Sequence, residues 1–484
     1  MDLMRNSLFI SNFKCFIGRI IAIIILASIC CIGWSYYCNL VQYPRDNFYD
    51  FYNTLEKDTV DVLCVGSSHV YCGINPVQLY NDYGIAAYDL AAGSQAVWYS
   101  YFYIKEALKT QNPKVVVLDV YTIPTRDDYF TREKAQANLI NMSISYNKWE
   151  ALEAAEIEDK LDIFWRFPIT HTRYKALKKE DYDLLGNMNT FFLGYCYKTK
   201  IEPYELDNIV DVREVKDIGS ISEKAEKYLR KCIELCQNQG IEIVLTNTPW
   251  PDITIETQQQ YNKIQQIAEE YGVAFLNGCL MNEELGMDYR VDSMGDWGHL
   301  NYTGVTKWTK WLGRYLANKY ELPDRRGDSK YKMWEYQSAK LNARIRMDNI
   351  AQAEDLESLT QSLQQTDGLC CAIEIRGDYL RGDMVIPETI LGKQLDLTRR
   401  GGYIIRDGKI IDYGDGRQDY NLCLYLNDCV MNVRSIGEDK AIIFEGNKYT
   451  MVENGINILI YDEYLKQIVG KFGIDVDNGY KLVK

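Results

Sequence analysis

Two short stretches, far apart in the chain, carry residue types that together could activate a serine. The first is Gly66-Ser67-Ser68-His69, which follows the apolar run Val62–Val65. Such a run is typical of a buried parallel strand, because these strands are covered on both faces. Ligands of an open α/β sheet bind outside the carboxyl ends of its strands, so Ser68 is expected where a nucleophile could act. The alternative is a tight strand-to-helix turn, for which Gly and Ser are ordinary choices.

The second stretch is Asp296-Trp297-Gly298-His299, which precedes an amphipathic segment. The chain has only three histidines, and His299 lies three residues after an aspartate. A carboxylate at that spacing can hold the imidazole in the tautomer that takes a proton from serine. The pattern predicts His299 as general base and Asp296 as its orienting partner. A purely structural role for this Asp-x-x-His pair is the alternative.

Together these stretches resemble the SGNH/GDSL hydrolase superfamily. Ser68 matches the nucleophile of its first block, usually Gly-Asp-Ser-Leu, and Asp296 with His299 matches its last block, Asp-x-x-His. Gly93, in Asp89-Leu-Ala-Ala-Gly-Ser94, matches the second-block glycine. The resemblance therefore implies a Ser68–His299–Asp296 triad and an oxyanion hole built from the N–H groups of Ser68 and Gly93.

The third block of that superfamily, Gly-x-Asn-Asp, is replaced here by Leu118-Asp119-Val120-Tyr121. The asparagine that would supply a further oxyanion donor is therefore missing. This departure is similar to the membrane-anchored branch that transfers acyl groups in the cell envelope, such as the teichoic acid D-alanyl transfer protein and alginate O-acetylation proteins. The resemblance covers about residues 55–320. It implies an α/β fold with a flavodoxin-like parallel sheet flanked by helices.

The charge and cysteine pattern excludes some classes of site. The net charge is −14, whereas a surface that binds nucleic acid needs clustered Lys and Arg. Fourteen cysteines are scattered without CxxC pairs or metal-ligand spacing, so neither a structural zinc site nor any other metal or cofactor is predicted.

The N-terminal region predicts a single membrane anchor. Residues Ile20–Tyr37 carry no charge, and at about 1.5 Å per residue these 18 residues match the thickness of the bilayer core. Arg5, Lys14 and Arg19 precede this segment, which predicts a cytoplasmic N-terminus at 1–19 and an extracytoplasmic remainder. A cleaved signal peptide is the alternative. Residues 38–54 are interpreted as a tether.

Short strands and helices alternate through residues 55–322, which predicts βαβ units and a parallel sheet. An insertion rich in charge and aromatic residues interrupts this pattern at about 121–220. Within it, His171 and Arg173 are interpreted either as substrate contacts or as part of a surface turn. Trp250, after the fourth strand, is either a sugar platform or a packing aromatic. The predicted strands are Asp61–Val65, Ala86–Leu90, Lys114–Val120, Glu242–Asn247 and Val273–Leu276.

The C-terminal third changes in pattern. Residues 323–366 read as a helical linker, and 367–484 as a small α/β or β-rich accessory domain of short strands and turns. Gly455–Asp462 together with Phe472–Asp475 resembles the interleukin-like EMT-inducer (GG) domain. That resemblance implies a compact module, sometimes carbohydrate-binding. We see no catalytic constellation in this region.

These patterns lead to one leading hypothesis of function. It is a membrane-anchored, extracytoplasmic serine O-acyltransferase that modifies a surface polysaccharide or teichoic-acid-like polymer through an acyl-serine. A multi-pass membrane protein would supply the acyl group, since nothing here is expected to bind a cytoplasmic thioester. Two alternatives remain open: an SGNH esterase or deacetylase of surface glycans, and a non-catalytic glycan-binding envelope protein.

Overall fold

The computed structural model divides the chain into two compact units, Met1–Trp334 and Glu335–Lys484. Each unit has its own hydrophobic core and is treated separately below. The boundary puts residues 335–366, interpreted from the sequence as a linker, inside the second unit. The structure describes residues 2–41, 51–52, 54–125, 131–177, 191–204, 210–296, 298–377, 389–390, 393–394, 400–426, 429–479 and 481–484, so most of the predicted tether lies outside the described residues.

A five-stranded parallel sheet forms the centre of the first unit. Its strands lie in the order β2-β1-β3-β4-β5. This is the flavodoxin-like order, in which the chain reverses direction across the sheet between β1 and β3. The predicted α/β class and parallel sheet are confirmed. The strands are β1 Val62–Gly66, β2 Ala87–Ala91, β3 Val115–Asp119, β4 Glu242–Asn247 and β5 Ala274–Asn277.

The strands consist of apolar runs because the central ones are covered on both faces. Every residue of β1 is buried, as expected for a central strand of a parallel sheet. Its register with both neighbours is regular: Val62 is opposite Ala87 on one side and Val115 on the other. One face of the sheet packs in a single cluster with side chains such as Trp308 and Leu312.

Helices flank this sheet. They form where apolar residues repeat at helical spacing and where a polar residue caps the first turn, as Ser222 and Thr254 do. Helix α1, Asp2–Leu40, precedes the sheet in the chain. The helices around the sheet are α2 Ser68–Tyr71, α3 Pro76–Tyr83, α4 Val97–Ala107, α5 Glu223–Asn238, α6 Ile255–Tyr271 and α7 Tyr302–Lys319.

The predicted insertion lies between β3 and β4. It contains short helices and one two-stranded hairpin, in which Phe191–Phe192 pairs with Tyr195–Cys196. The hairpin packs beside β2, since the N–H of Asp89 donates to the carbonyl of Leu193 at 2.9 Å. The helical segments are Thr122–Thr125, Arg132–Leu139, Tyr146–Ala154, Lys160–Trp165, Phe167–Thr170 and the 3₁₀ turn His171–Ala176; further short segments before α7 are Gly278–Leu280, Asn282–Leu285 and Tyr289–Asp292.

The predicted membrane segment falls within α1. In the part of the chain that the structure describes, no helix combines the length and the apolar composition needed to cross a membrane. The anchor at 20–37 therefore stays a prediction from the sequence.

The second unit has three layers. A six-stranded sheet is covered on one face by helices Lys332–Gln352 and Leu356–Ser362, and on the other by a four-stranded antiparallel sheet. These helices contribute Ala343, Ile350 and Leu359 to the core, which is why residues 335–366 of the predicted linker belong to this unit. In spatial order the strands are Lys409–Asp415, Gly401–Arg406, Leu369–Arg376, Gly455–Asp462, Gln467–Asp475 and Lys481–Val483; then Tyr420–Tyr425, Val430–Ile436, Asp439–Phe444 and Asn447–Tyr449; a separate pair is Thr389–Ile390 with Lys393–Gln394.

Candidate active site

The turn from β1 into α2 is fixed by a buried carboxylate at the end of β3. The hydroxyl and the N–H of Ser67 both donate to Asp119 Oδ2, at 2.6 and 3.1 Å, and the N–H of Tyr121 donates to Asp119 Oδ1 at 3.1 Å. A Cβ on Gly66 would lie 2.4 Å from the Cβ of Asp119, so only glycine allows this approach. The network holds the residue after Ser67 at the carboxyl edge of the sheet.

Asp119 is a buried carboxyl that is only 3% exposed. Burial raises its pKa to about 6, although the hydrogen bonds from Ser67 and Tyr121 oppose that shift. Burial raises the pKa because it disfavours the charged form of a carboxyl. The turn is thus held by a carboxyl that is uncharged in mildly acidic solution.

Ser68, His299 and Asp296 come together in one chain of hydrogen bonds. Ser68 Oγ lies 2.7 Å from His299 Nε2, and His299 Nδ1 lies 2.8 Å from Asp296 Oδ2. The carboxylate accepts the proton on Nδ1, which leaves Nε2 as the acceptor for the serine hydroxyl. The structure therefore joins residues 231 positions apart in the arrangement that activates a serine.

The loop that holds Asp296 and His299 is tied by its own backbone. The N–H of His299 donates to Asp296 Oδ1 at 2.9 Å, and the N–H of Gly298 donates to the carbonyl of Asp296 at 2.6 Å. Partial burial works against ionisation of Asp296, but hydrogen bonds from His299 and Gly298 outweigh it and hold its pKa below the ordinary value. An ionised Asp296 is the state that stabilises a protonated imidazole.

The two predicted oxyanion donors lie at the ends of neighbouring strands. Ser68 begins α2 after β1, and Gly93 follows β2, which pairs with β1 in parallel. Neither N–H has an acceptor among the residues that the structure describes. Ser68 is partly exposed and Gly93 is exposed. Both N–H groups are thus available to a bound oxygen.

The segment that follows β3 contributes aromatic packing beside His299. The ring of Tyr121 stacks on that of His69 at 3.4 Å between centroids, and it meets Trp250 edge-on at 5.2 Å. The His69 ring in turn lies 5.1 Å from that of His299. The absence of the third-block asparagine, noted from the sequence, is thus accompanied by a buried aromatic wall behind His299.

Trp250 belongs to that wall. It is 4% exposed, and it also lines a cavity of about 230 Å³ with residues such as Arg213, Cys279 and Glu283. Of the two sequence interpretations, this burial favours packing over an open sugar platform.

His171 and Arg173 have neighbours other than the triad. The hydroxyl of Tyr37 donates to the carbonyl of His171 at 3.1 Å, and Arg173 Nη1 donates to the carbonyl of Leu40 at 3.2 Å. These contacts join the insertion to the end of α1. Their predicted contact with substrate is not supported by any contact with Ser68, His299 or Asp296 among the described residues.

No group of three or more His, Cys, Asp and Glu side chains within the described ranges is arranged to hold a metal ion.

Tyr71 was not predicted as a site residue, but the structure places it on α2, three residues after Ser68. The available signal was spacing: Ser68 and Tyr71 are three residues apart, so on a helical turn they share a face. Asp119 was not predicted as a site residue either, because only the fold shows that it lies beside Ser67.

Comparisons with known proteins add little. No family model matches the chain, and no curated protein matches it. Among solved structures, the chain is similar to a Bacteroides fragilis NCTC 9343 protein described as a "putative acylhydrolase", with 10% sequence identity and a TM-score of 0.28. That match covers 56% of this chain and 93% of the other. A likeness this weak carries no argument about function, which depends on the site itself.

Proposed function

We propose that this protein is a serine-dependent acyl hydrolase or acyltransferase that works through an acyl-serine intermediate. The observation that carries the proposal is the hydrogen-bonded chain from Ser68 through His299 to Asp296. A serine hydroxyl is a weak nucleophile at neutral pH and requires an adjacent base, and His299 lies where that base is needed.

The proposed reaction has two halves. Ser68 Oγ attacks the carbonyl carbon of an ester or thioester while its proton passes to His299 Nε2. The tetrahedral intermediate collapses, the bond to the leaving group breaks, and that group receives the proton. In the second half, His299 takes a proton from the acceptor hydroxyl, whose oxygen attacks the acyl-serine, and Ser68 is regenerated. The N–H groups of Ser68 and Gly93 stabilise the oxyanion in both halves, and each donor is worth roughly 3–4 kcal/mol in comparable sites.

The acceptor decides between hydrolysis and transfer. Water gives an esterase, and a sugar hydroxyl gives an O-acyltransferase. We favour transfer to a surface polysaccharide or teichoic-acid-like polymer, with acyl groups from a multi-pass membrane partner, because of the resemblance to the membrane-anchored SGNH branch. The cytoplasmic N-terminus and the extracytoplasmic site are part of the same proposal and rest on the charge pattern around residues 20–37. Recovery of the native protein in the soluble fraction of its cells would contradict that location.

The test is to treat the purified full-length protein with a fluorophosphonate and with p-nitrophenyl acetate. Wild type is expected to be labelled at Ser68 and to release p-nitrophenol, and Ser68→Ala is expected to lose both. Ser362→Ala is a matched control, since the Ser362 hydroxyl lies in the second unit and donates to the carbonyl of Ser358. Labelling of Ser68→Ala at the wild-type rate would reject the triad. Adding an oligosaccharide acceptor then separates transfer from hydrolysis, because only a transferase gives an acylated glycan.

A further inference from the structure

We propose that the Tyr71 hydroxyl is the side-chain donor of the oxyanion hole, in place of the asparagine that the third block lacks. The inference rests on the proposed serine-dependent reaction. It adds one catalytic residue to that reaction, since the hydroxyl would touch the reacting oxygen.

The position of Tyr71 follows from the short helix that begins with the nucleophile. Helix α2 covers Ser68–Tyr71, and Ser67 caps it by accepting from the N–H of His69 at 3.2 Å. Residues three apart on such a turn lie on the same face, so the side chains of Ser68 and Tyr71 point to the same side. Among the groups that influence the ionisation of Tyr71, the Ser68 hydroxyl is the one that lowers its pKa.

The same hydroxyl lies beside the predicted oxyanion glycine. A Cβ placed on Gly93 would have the Tyr71 hydroxyl oxygen 3.7 Å away as its nearest neighbour. The hydroxyl therefore lies close both to the Ser68 side chain and to Gly93. An oxyanion formed on a carbonyl attacked by Ser68 Oγ would sit in this space, where the N–H groups of Ser68 and Gly93 have no acceptor among the described residues.

Tyr71 is held in place by the insertion hairpin. Its ring contacts the ring of Phe191 at 6.2 Å, with the planes at 71°. Helix α2 also contacts the second hairpin strand, Tyr195–Cys196. The hairpin is anchored to β2, because a Cβ on Gly194 would lie 2.0 Å from the carbonyl oxygen of Asp89. A donor fixed in this way needs no reorganisation when charge develops, which is the condition for strong oxyanion stabilisation.

Tyr71 is also in the right protonation state. Burial raises the pKa of its hydroxyl well above the ordinary value, and the neighbouring thiols of Cys72 and Cys196 and the carboxylate of Asp296 add to this; only the interaction with Ser68 lowers it. The hydroxyl therefore keeps its proton through the neutral pH range and can donate a hydrogen bond to an oxyanion.

The test compares Tyr71→Phe with wild type and with Tyr83→Phe. Tyr83 lies on α3 and its hydroxyl donates to the carbonyl of Lys310 at 2.8 Å, so its loss removes a tyrosine hydroxyl away from the site. With p-nitrophenyl acetate, we expect Tyr71→Phe to lower kcat by about 10²- to 10³-fold with little change in KM. The Ki for a trifluoromethyl ketone, whose serine adduct carries an oxyanion, should rise by a similar factor. Tyr83→Phe should change neither value by more than about twofold.

The outcomes separate the two proposals. If wild type is inactive and its Ser68 is not labelled by a fluorophosphonate, the proposed reaction fails. If wild type is active and Tyr71→Phe keeps its kcat and its ketone Ki, the role of Tyr71 is overturned. If Tyr71→Phe does not fold, 3-fluorotyrosine at position 71 replaces it: the more acidic hydroxyl should tighten ketone binding, and an unchanged Ki would overturn the proposal.

Discussion

The segments that carry Ser68 and His299 are held in shape by hydrogen bonds in which neither of these two side chains takes part. Ser68 is placed by the Ser67–Asp119 hydrogen bonds, and His299 by the backbone bonds of its own loop. The sequence predicted these residues because Gly-Ser-Ser and Asp-x-x-His are patterns that occur within a few consecutive residues. It did not predict Tyr71 or Asp119 as site residues, because their roles depend on neighbours that only the folded sheet brings close.

Asp119 gives a prediction about stability and pH. Its pKa in the folded protein is about 6, above the ordinary value of 3.8, so the folded state binds more protons between these values. Protonated Asp119 therefore stabilises the folded state. This stabilisation is complete below about pH 4 and is lost as the pH rises through 6. At about 1.4 kcal/mol per pKa unit, the loss is on the order of 3 kcal/mol. Urea unfolding of wild type and Asp119→Asn should show the free energy of unfolding of wild type falling relative to the variant between pH 4 and 6.

The exposed carboxylate of Asp211 is expected to show the opposite dependence of stability on pH. Hydrogen bonds from Arg213 hold the pKa of exposed Asp211 at about 2. Any contribution of Asp211 is therefore present above about pH 4 and is lost as the pH falls towards 2. A pH-independent difference between wild type and Asp119→Asn would contradict the assigned pKa of Asp119.

At the scale of elements, the regular strands and helices were predictable and the turns that orient the site were not. Strand β4 was predicted with its observed bounds, because the apolar residues Ile243-Val244-Leu245 follow closely after Gly240. The sequence from Lys148 to Leu161 is typical of one continuous helix, but the structure has a helix that ends at Ala154 and a second that begins at Lys160. Glu156 and Asp159 between them have φ of 55° and 53°, while Ile157 is buried. Apolar periodicity alone does not reveal such a break.

The loop that carries the base gives a prediction at this scale. Gly298 has φ of +134°, and a Cβ there would lie 3.1 Å from Trp250 Cβ and 3.3 Å from His69 Cε1. Gly298→Ala should therefore displace His299 and lower kcat for p-nitrophenyl acetate by about 10²-fold, because small misplacements of catalytic groups are costly. Gly272→Ala is the matched control: its φ is +67°, but a Cβ would meet nothing within 4 Å. Equal kcat for the two variants would refute this account of the loop.

At the scale of the whole molecule, the two units have separate cores. The cluster around the parallel sheet shares no residue with the two clusters of the second unit. The sequence predicted a change from helix-and-strand alternation to short strands near residue 367, whereas the two units meet at Trp334 and Glu335. It placed the helices before residue 367 in a linker, because their role in the core depends on contacts with strands up to about 120 residues later in the chain.

Because the two units have separate cores, a substitution in one core is expected to destabilise only its own unit. Ile458 is 2% exposed in the core of the second unit, and Ile458→Ala should cost about 2–5 kcal/mol there. Amide hydrogen exchange should speed up in residues 369–475, while fluorophosphonate labelling of Ser68 stays at the wild-type rate. Leu312→Ala, in the core of the first unit, should do the reverse. Faster exchange in β1 and β3 of Ile458→Ala would contradict the independence of the two cores.

The insertion between β3 and β4 touches the rim of the site without contributing a member of the triad. Asn138 Nδ2 donates to the carbonyl of Gly93 at 3.3 Å, Lys134 Nζ donates to Ser94 Oγ at 3.1 Å, and Phe191 packs against Tyr71. The residues of the proposed triad and the insertion residues at its rim are thus encoded in different stretches of the gene. Under the proposed function, exchanging the insertion between related chains would alter which substrate is accepted, while the Ser68 hydroxyl and the His299 base stay as they are.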